Sequence, residues 1–406
     1  MPIVVQKYGG TSVGSVERIQ AVADRVVRTR EAGNHVIVVV SAMGDSTDDL
    51  MAMAAQITDV PDPRELDMLL TAGERITMSL LGIALNARGC KAASYTGSQA
   101  GIITDTQHGA AKIVEIRPKR ILEALEAGNV VVLAGFQGLS SQYEITTLGR
   151  GGSDLTAVAM AAAVGAEVCE IYTDVDGIYT ADPRIVPTAR KVRAISYDEM
   201  LELAASGAKV LQSRSVEVAR RANMRIHVRS SFTDEDGTWV QEVSEDDMEG
   251  VMISGVALDA DEAKVTIDDV PDHPGVAARI FKAIAAEAIS VDMIVQNISH
   301  EGSTDLSFTA PRADLPRLQG VLDALTHEIG ADRFEVDDDI AKISLVGAGM
   351  KAAPGVAADM FDALAAEGIN IEMISTSPIR VSCVIRRSDG DRAVRAVHTR
   401  FGLDAG

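Results

Sequence analysis

Residues 3–14 read IVVQKYGGTSVG. Ile3, Val4 and Val5 open a β-branched run that ends at Lys7 and Tyr8 on a glycine pair. A run apolar on both faces predicts a strand buried in a parallel sheet rather than one lying on water. Glycines at its carboxyl end predict a close backbone approach, and a lysine beside them predicts an anion site. The common phosphate loop places its lysine after the glycines, as GxxxxGK[ST]. Lys7 stands before them, so this strand end calls for another kind of phosphate site.

The same signature recurs outward to residue 230. HVIVVVSA (35–42), KAASY (91–95), VVVLAG (130–135), VCEIYT (168–173) and RIHVRS (225–230) read as further strands. Amphipathic helical patterns lie between them, among them SVERIQAVADRVVRTREAG, AGERITMSLLGIALNARG and SDLTAVAMAAAVG. Strands alternating with helices predict an α/β domain over 1–230, a mostly parallel sheet sandwiched by helices. Residues 231–249 are acidic and turn-rich and read as a linker; DEDG within it lacks the spacing and closing Glu of a calcium loop.

Beyond the linker the chain repeats itself. PGVAARIFKAIAAEAISVDMI (274–294) matches PGVAADMFDALAAEGINIEMI (354–374), eighty residues on. Each copy follows a strand (KVTI, KISL) and precedes a strand and a helix, the order of a βαββαβ ferredoxin-like unit. DRFEV (332–336) supplies the first copy's last strand, whereas the second copy runs out of chain. GVMISGVALD (250–259) is an orphan strand before the first copy, and we expect it to complete the second. Unit 1 then spans 260–337 and is inserted in unit 2, 250–259 plus 338–406. GAGMKA (347–352) resembles a dinucleotide fingerprint, but the equivalent DDVPDHPG of the first copy lacks its glycines.

The 406 residues carry a net charge of −21. That disfavours nucleic acid or an anionic membrane as the main partner. An anionic small substrate then needs a locally basic site. Cys90, Cys169 and Cys383 are far apart without a CxxC pair, which suggests neither disulfides nor zinc. No signal peptide or long apolar span is evident, and a cytoplasmic location is expected.

Four more stretches carry chemistry. SAMGDSTDDL (41–50) places Ser41 and Thr47 after a buried strand, where ligands of open parallel sheets bind. LLTAGERI (69–76) opens an apolar helix with Glu74. TTLGRGGSDLTA (146–157) runs Arg150 and glycines straight into a helix capped by Ser153 or Asp154, a ready anion site. YTDVDGIYTADPR (172–184) is a strand followed by an acidic turn. Lys209 follows Gly207 at another expected helix start. Each stretch alone has an ordinary explanation, such as a tight turn or a first-turn acid; their combination is specific.

KYGGTSVG, SAMGDSTD, TAGERI, GRGGSD, DVDGIYTADPR and the paired repeats, in this order over essentially the whole chain, resemble the aspartokinase branch of the amino-acid kinase family with C-terminal tandem ACT domains. The resemblance implies transfer of the γ-phosphoryl of MgATP to the β-carboxylate of L-aspartate, with no prosthetic group and no protein metal cage. By it, Lys7, Asp154 and Lys209 form the catalytic set. Ser41, Thr47, Glu74, Arg150, Gly151, Gly152 and Ser153 bind the substrate, Arg150 taking its α-carboxylate and Glu74 its α-ammonium. Lys7, Tyr8, Gly9, Gly10, Thr173, Asp174, Tyr179, Asp182, Arg184 and Lys209 face the nucleotide. Lysine, threonine or both are the implied feedback effectors, at Asp272, His273, Pro274, Gly275, Val276 and Ala277 with Asp292, Met293, Ile294, Gln296, Asn297, Thr304 and Asp305.

The resemblance also implies an oligomer, either of this chain or with an ACT-only subunit from an internal start at Met248 or Met252. Two competing readings stand beside it. One is a sister kinase acting on glutamate, acetylglutamate or UMP; Glu74 with Arg150 argues for an amino-acid zwitterion over a nucleotide, and the ACT pair argues for aspartate over the others. The other is an amino-acid sensor whose kinase half is only a scaffold.

Overall fold

The apolar run that ends at Lys7 forms the strand Ile3–Tyr8, and it lies in the middle of an eight-stranded sheet. The structure, a computed structural model, describes residues 1–208, 210–243, 252–297, 302–350, 353 and 355–404. Parallel neighbours His35–Val40 and Val168–Thr173 flank the central strand. Val130–Ala134 and Ala92–Tyr95 extend the sheet on one side, and Ile226–Ser230 extends it on the other. The strands are almost wholly buried because helices cover both faces. Val16–Glu31 and Ala72–Ala87 pack against each other over one core with Val22, Val26, Leu81 and Leu85. Helix Gly152–Val164 packs against Ile3–Tyr8, and its run from Gly152 to Ala161 is buried throughout.

The expected linker is partly sheet. Thr238–Val240 pairs antiparallel with Ile226–Ser230, and Ala194–Ile195 pairs parallel with it. Trp239 stacks on His227 at a ring separation of 4.0 Å, which gives this short edge its anchor. A small second sheet was also illegible in the sequence. It runs Ile113–Ile116, Ile102–Thr104, Gln137–Ser140, Ile145–Thr147, in strands too short to show a period. Pro63–Ala87 is apolar and long enough to cross a bilayer by composition, but half of it is buried inside the protein, Asp67 and Glu74 included.

The C-terminal half holds two four-stranded antiparallel sheets. One is ordered Asp292–Gln296, Ser303–Pro311, Glu262–Pro271, Arg333–Asp337, with helices Val276–Ala286 and Leu315–Ile329 packed on its core. The other is ordered Met252–Asp259, Ile340–Ala348, Arg380–Arg386, Met373–Ser377, with helices Val356–Ala366 and Gly390–Arg400. The strand preceding the first copy therefore lies in the second copy's sheet, antiparallel to Ile340–Ala348. GAGMKA begins inside that same strand, and its last two residues lie outside the described residues. Met293, Ile340, Met373 and Val384 form a small core joining the two sheets.

The chain divides into two compact units, but the division is not one cut at residue 230. Tyr179–Arg190 and Ala205–Ala208 belong with Met248–Gly406, and the remainder forms the other unit. Ala181 and Val186 are buried in the core around helix Gly390–Arg400, with Ile185 and Ala189 against it. The physical reason is visible in ADPRIVPTA, whose apolar residues need a core that an exposed loop cannot supply.

Candidate active site

Beyond the carboxyl ends of Ile3–Tyr8 and His35–Val40 lies a cavity of about 540 Å³. Its walls bring together Lys7, Gly9, Gly10, Ser41, Thr47, Glu74 and Arg150 through Asp154, which the sequence scatters over 150 positions. Glycines shape it. A Cβ at Gly10 would stand 3.0 Å from the Gly44 carbonyl oxygen, so the two loops touch by backbone. Gly151, at φ +74°, turns the chain into helix Gly152–Val164. The first intrahelical bond runs from Leu155 N–H to the Gly151 carbonyl, at 3.2 Å. The N–H groups of Ser153 and Asp154 thus precede the ladder, at the positive end of the helix.

Lys7 Nζ lies 2.6 Å from Asp154 Oδ1, with side chains 12% and 9% exposed. The carboxylate fixes the ammonium at the cleft wall. A Cβ on Gly9 would stand 3.4 Å from that ammonium, at van der Waals contact, so the Gly9 backbone runs close by it. Glu74 is 3% exposed. Its Oε1 accepts the Ala42 N–H at 3.2 Å, while Oε2 has no hydrogen-bond partner among the described residues. Burial pushes its carboxyl up to about 7, partly offset by that backbone donor. Arg150 is exposed and has no ion pair among the described residues. The cleft thus presents a bound ammonium, an unanswered acid and an unanswered guanidinium.

The nucleotide candidates are less concentrated. Gly9 and Gly10 line the cleft. Tyr8 does not offer its side chain: it is fully buried, stacked on Tyr172 at 4.8 Å, because alternate residues of a central strand point into the core. Thr173 bonds Asp174 at 3.0 Å outside the cavity. Tyr179, Asp182 and Arg184 fall in the C-terminal unit, where Arg184 chelates Asp182 at 2.6 Å. Lys209 lies outside the described residues. The cavity also exposes residues that sequence reasoning missed: Asp67, Phe136 and Thr147. Asp67 had a signal, since it precedes Glu74 by seven residues, two helical turns on one face. Phe136 adopts φ 68° at the strand end, which no sequence pattern announced.

The C-terminal unit has its own pocket of about 330 Å³, at the start of helix Val276–Ala286. Asp272 through Ala277, Gln296 and Thr304 line it. Asp292, Met293, Ile294, Asn297 and Asp305 do not. Asp292 pairs with Lys342 at 3.1 Å, Met293 is core, and Asp305 accepts the Asp269 N–H at 3.2 Å. Ile294 is exposed, and Asn297 gives its carbonyl to the Thr304 hydroxyl at 2.7 Å. The cause is the bulge between Asp292 and Val295, with Met293 at φ 50°, which re-aims this edge strand.

Residues 2–230 match the amino acid kinase family, and residues 264–326 and 343–401 each match the ACT domain. The aspartokinase of Mycolicibacterium smegmatis is 56% identical over 99% of this chain and 97% of its own length. Among solved structures, E. coli aspartokinase III in complex with aspartate and ADP superposes with a TM-score of 0.85 at 27% identity. That match covers 98% of this chain and all of that one. The same enzyme with lysine and aspartate gives 0.74 at 27% identity, covering 98% and 99%.

Proposed function

This chain belongs to the amino acid kinase family and, within it, to the aspartokinases, and on that premise we propose that it phosphorylates the β-carboxylate of L-aspartate to give 4-phospho-L-aspartate. It is an ATP-dependent kinase with a carboxyl acceptor and tandem ACT domains. The observation that carries the finer reading is the presence, in one cleft, of a buried acid with one oxygen unpartnered and a guanidinium without an ion pair among the described residues. An α-amino acid is the zwitterion that answers both. Glu74 takes the α-ammonium, and Arg150 offers its fork to the α-carboxylate. The remaining carboxylate is left for reaction, oriented by Ser41, Thr47 and Ser153.

That side-chain carboxylate ordinarily titrates near ~3.9, so the nucleophile needs no general base. The barrier is the approach of an anion to an anionic phosphoryl group, and catalysis consists of positioning and charge neutralisation. Lys7, pinned by Asp154, meets the transferring phosphoryl, and Gly9 and Gly10 let backbone N–H groups come close. Lys209 is proposed to add charge from the nucleotide side. MgATP is the co-substrate, and no prosthetic group is proposed. Asp154 is engaged by Lys7, so the magnesium would enter on the phosphates and water, which suits its coordination preferences.

We place the reaction at the head of lysine, threonine and methionine synthesis, in the cytoplasm, with lysine, threonine or both as feedback inhibitors. The lysine complex of the E. coli relative supports an ACT effector. An oligomer of this chain, or one with an ACT-only subunit, belongs to the same proposal. Inhibition requires effector affinities that differ between two states of the enzyme. The test is ADP release with MgATP and L-aspartate, with glutamate and UMP as alternative acceptors, repeated with lysine, threonine and the two together. Aspartate-dependent turnover suppressed by an effector set is the expected result. Turnover on glutamate or UMP alone would favour the sister kinases. None on any acceptor, with effector still bound, would favour the sensor.

A further inference from the structure

Two buried acids lie on the cleft side of the run LDMLLTAGE, and only Glu74 has a part in the chemistry above. We propose that the other, Asp67, is the positioning residue of the aspartate site, holding the root of the Arg150 loop through Thr147 and Gly109. The proposal rests on the reading of Arg150 as the anchor of the substrate α-carboxylate.

Asp67 is 1% exposed, yet its carboxylate is fully engaged. Oδ1 accepts the Thr147 hydroxyl at 2.5 Å and the Gly109 N–H at 3.1 Å. Oδ2 lies 2.7 Å from His108 Nδ1 and 3.2 Å from the same N–H. One side chain on helix Pro63–Leu70 therefore ties down two other segments, the loop 105–112 and the strand Ile145–Thr147. Those segments run side by side: the Ala111 N–H reaches the Thr147 carbonyl at 2.9 Å. From a separate helix, Arg214 bonds the Leu148 carbonyl at 2.6 Å and the Ala111 carbonyl at 2.9 Å. Gly149 is packed so tightly that a Cβ there would lie 3.1 Å from the Gly109 carbonyl oxygen.

Arg150 is the next residue. Its side chain makes no ion pair among the described residues, but its backbone leaves a strand end fixed on both flanks. This separation of a rigid root from an unpaired tip is what bidentate recognition of a carboxylate requires, because displacements near 1 Å forfeit the alignment. A packing role alone would be filled more cheaply by leucine, since a buried carboxylate is costly to desolvate. Its two oxygens hold three polar groups on two other segments, which no apolar side chain reproduces.

Asp67→Asn keeps the shape but turns one of the two acceptors into a donor, which faces the Gly109 N–H whichever oxygen it replaces. The expected result is a KM for aspartate raised by about tenfold, the scale of one net hydrogen bond. KM for MgATP and kcat at saturating aspartate should move less than about threefold by the same reasoning. Thr147→Val should raise the aspartate KM in the same sense, and Thr147→Ser, which keeps the hydroxyl, should return it toward the wild-type value. Thermal melting of each full-length variant reports folding. An unchanged aspartate KM in folded Asp67→Asn, or equal losses toward both substrates, overturns the proposal. Should Asp67→Asn not fold, equal aspartate KM values for Thr147→Val and Thr147→Ser overturn it instead. Wild-type protein without aspartate-dependent ADP release would fell the substrate reading first, and this proposal with it.

Discussion

The two units bury charge in opposite ways. In the catalytic cleft, Glu74 is 3% exposed with one oxygen unanswered, and Arg150 lines the same cleft without an ion pair among the described residues. In the ACT unit, Lys342 is 1% exposed, but Asp292 Oδ2 lies at 3.1 Å and Glu262 Oε1 at 3.4 Å. Arg380 then approaches the other oxygen of Asp292 at 3.7 Å. Burial alone does not mark a functional site. A buried charge with its partners supplied by the fold is architecture, here clamping one ACT sheet to the other. A buried acid with no counter-charge among the described residues, as at Glu74, is a place that a ligand completes; Glu262 also keeps one oxygen without a hydrogen-bond partner, but Lys342 meets its charge. The contrast also explains why Asp292, an effector candidate from sequence, is absent from the pocket: its charge is already spent on Lys342.

The contrast breaks most visibly at Lys342. Lys342→Ala leaves Glu262 and Asp292 buried without their cation, and removing one member of such a cluster costs about 3–5 kcal/mol. Burial already pushes the Glu262 carboxyl up, with the lysine opposing that shift, so losing Lys342 should raise it further. Denaturant unfolding should show the loss, with effector-free aspartate turnover retained at low temperature. A loss under about 1 kcal/mol would mean that the cluster is no better than a surface pair.

Lys7 lies between the two cases, since it is paired by the fold yet open to the cleft. Lys7→Ala should lower kcat by about 10²–10³, the scale of one lost transition-state donor. Aspartate KM and effector binding should be nearly unchanged. Unaltered turnover would remove Lys7 from the chemistry and make its pair with Asp154 architectural.

Much of this was legible from residues alone, and the failures have specific causes. The central strands of the large sheet were readable because Ile3–Tyr8, His35–Val40 and Val130–Ala134 are buried on both faces and so run almost continuously apolar, whereas the short strands Ala194–Ile195 and Thr238–Val240 at one edge were not. The repeat was readable because two copies of one unit need the same core. The small sheet beside the cleft was not, because strands of three or four residues carry no period. Asp67 had its helical spacing from Glu74 as a signal, but its role was not readable for a related reason: that role comes from Gly109 and Thr147, forty-two and eighty residues away, which only the folded chain assembles. Tyr8 was misassigned because adjacency to Lys7 in sequence means the opposite face in a strand. The segment Tyr179–Arg190 was assigned by motif, and motif is silent about the apolar side chains that seat it among ACT helices.

Glu74 sharpens the comparison by pH. Its folded carboxyl titrates at about 7, above its ordinary value of 4.5, because burial disfavours the charge. Its contribution to stability is therefore full below the ordinary value and is lost as pH rises through about 7. Binding has the opposite sign: the α-ammonium pairs with ionised Glu74, so the aspartate KM should rise as pH falls below that point. Glu74→Gln should remove both dependences. It should also raise the aspartate KM by about 10–100-fold at pH 8, as for a lost charge-assisted bond. A KM for the wild type that is flat from pH 6 to 8 would contradict the ammonium assignment.

The smallest expected effect is at Thr180, where the groups buried are neutral. Its Oγ1 accepts the Arg190 N–H at 2.9 Å and lies 2.9 Å from His398 Nε2, within the C-terminal unit. The hydroxyl gives its proton to Nε2 when the neutral ring carries its own on Nδ1, and in either neutral tautomer Oγ1 and Nε2 share one hydrogen bond. Burial favours the neutral ring, lowering the His398 pKa from its ordinary value of 6.5. A depressed histidine leaves the unfolded chain binding more protons below 6.5, so stability falls as the solution is acidified through that value. Thr180→Val strips Nε2 of its partner and leaves the Arg190 N–H unanswered, at a cost of about 1–2 kcal/mol. His398→Gln should remove the acid sensitivity while retaining an acceptor for the hydroxyl. If Thr180→Val cost as much as Lys342→Ala in the same denaturation assay, charge would not be what distinguishes this unit's interior, and the contrast with the cleft would have to rest on packing.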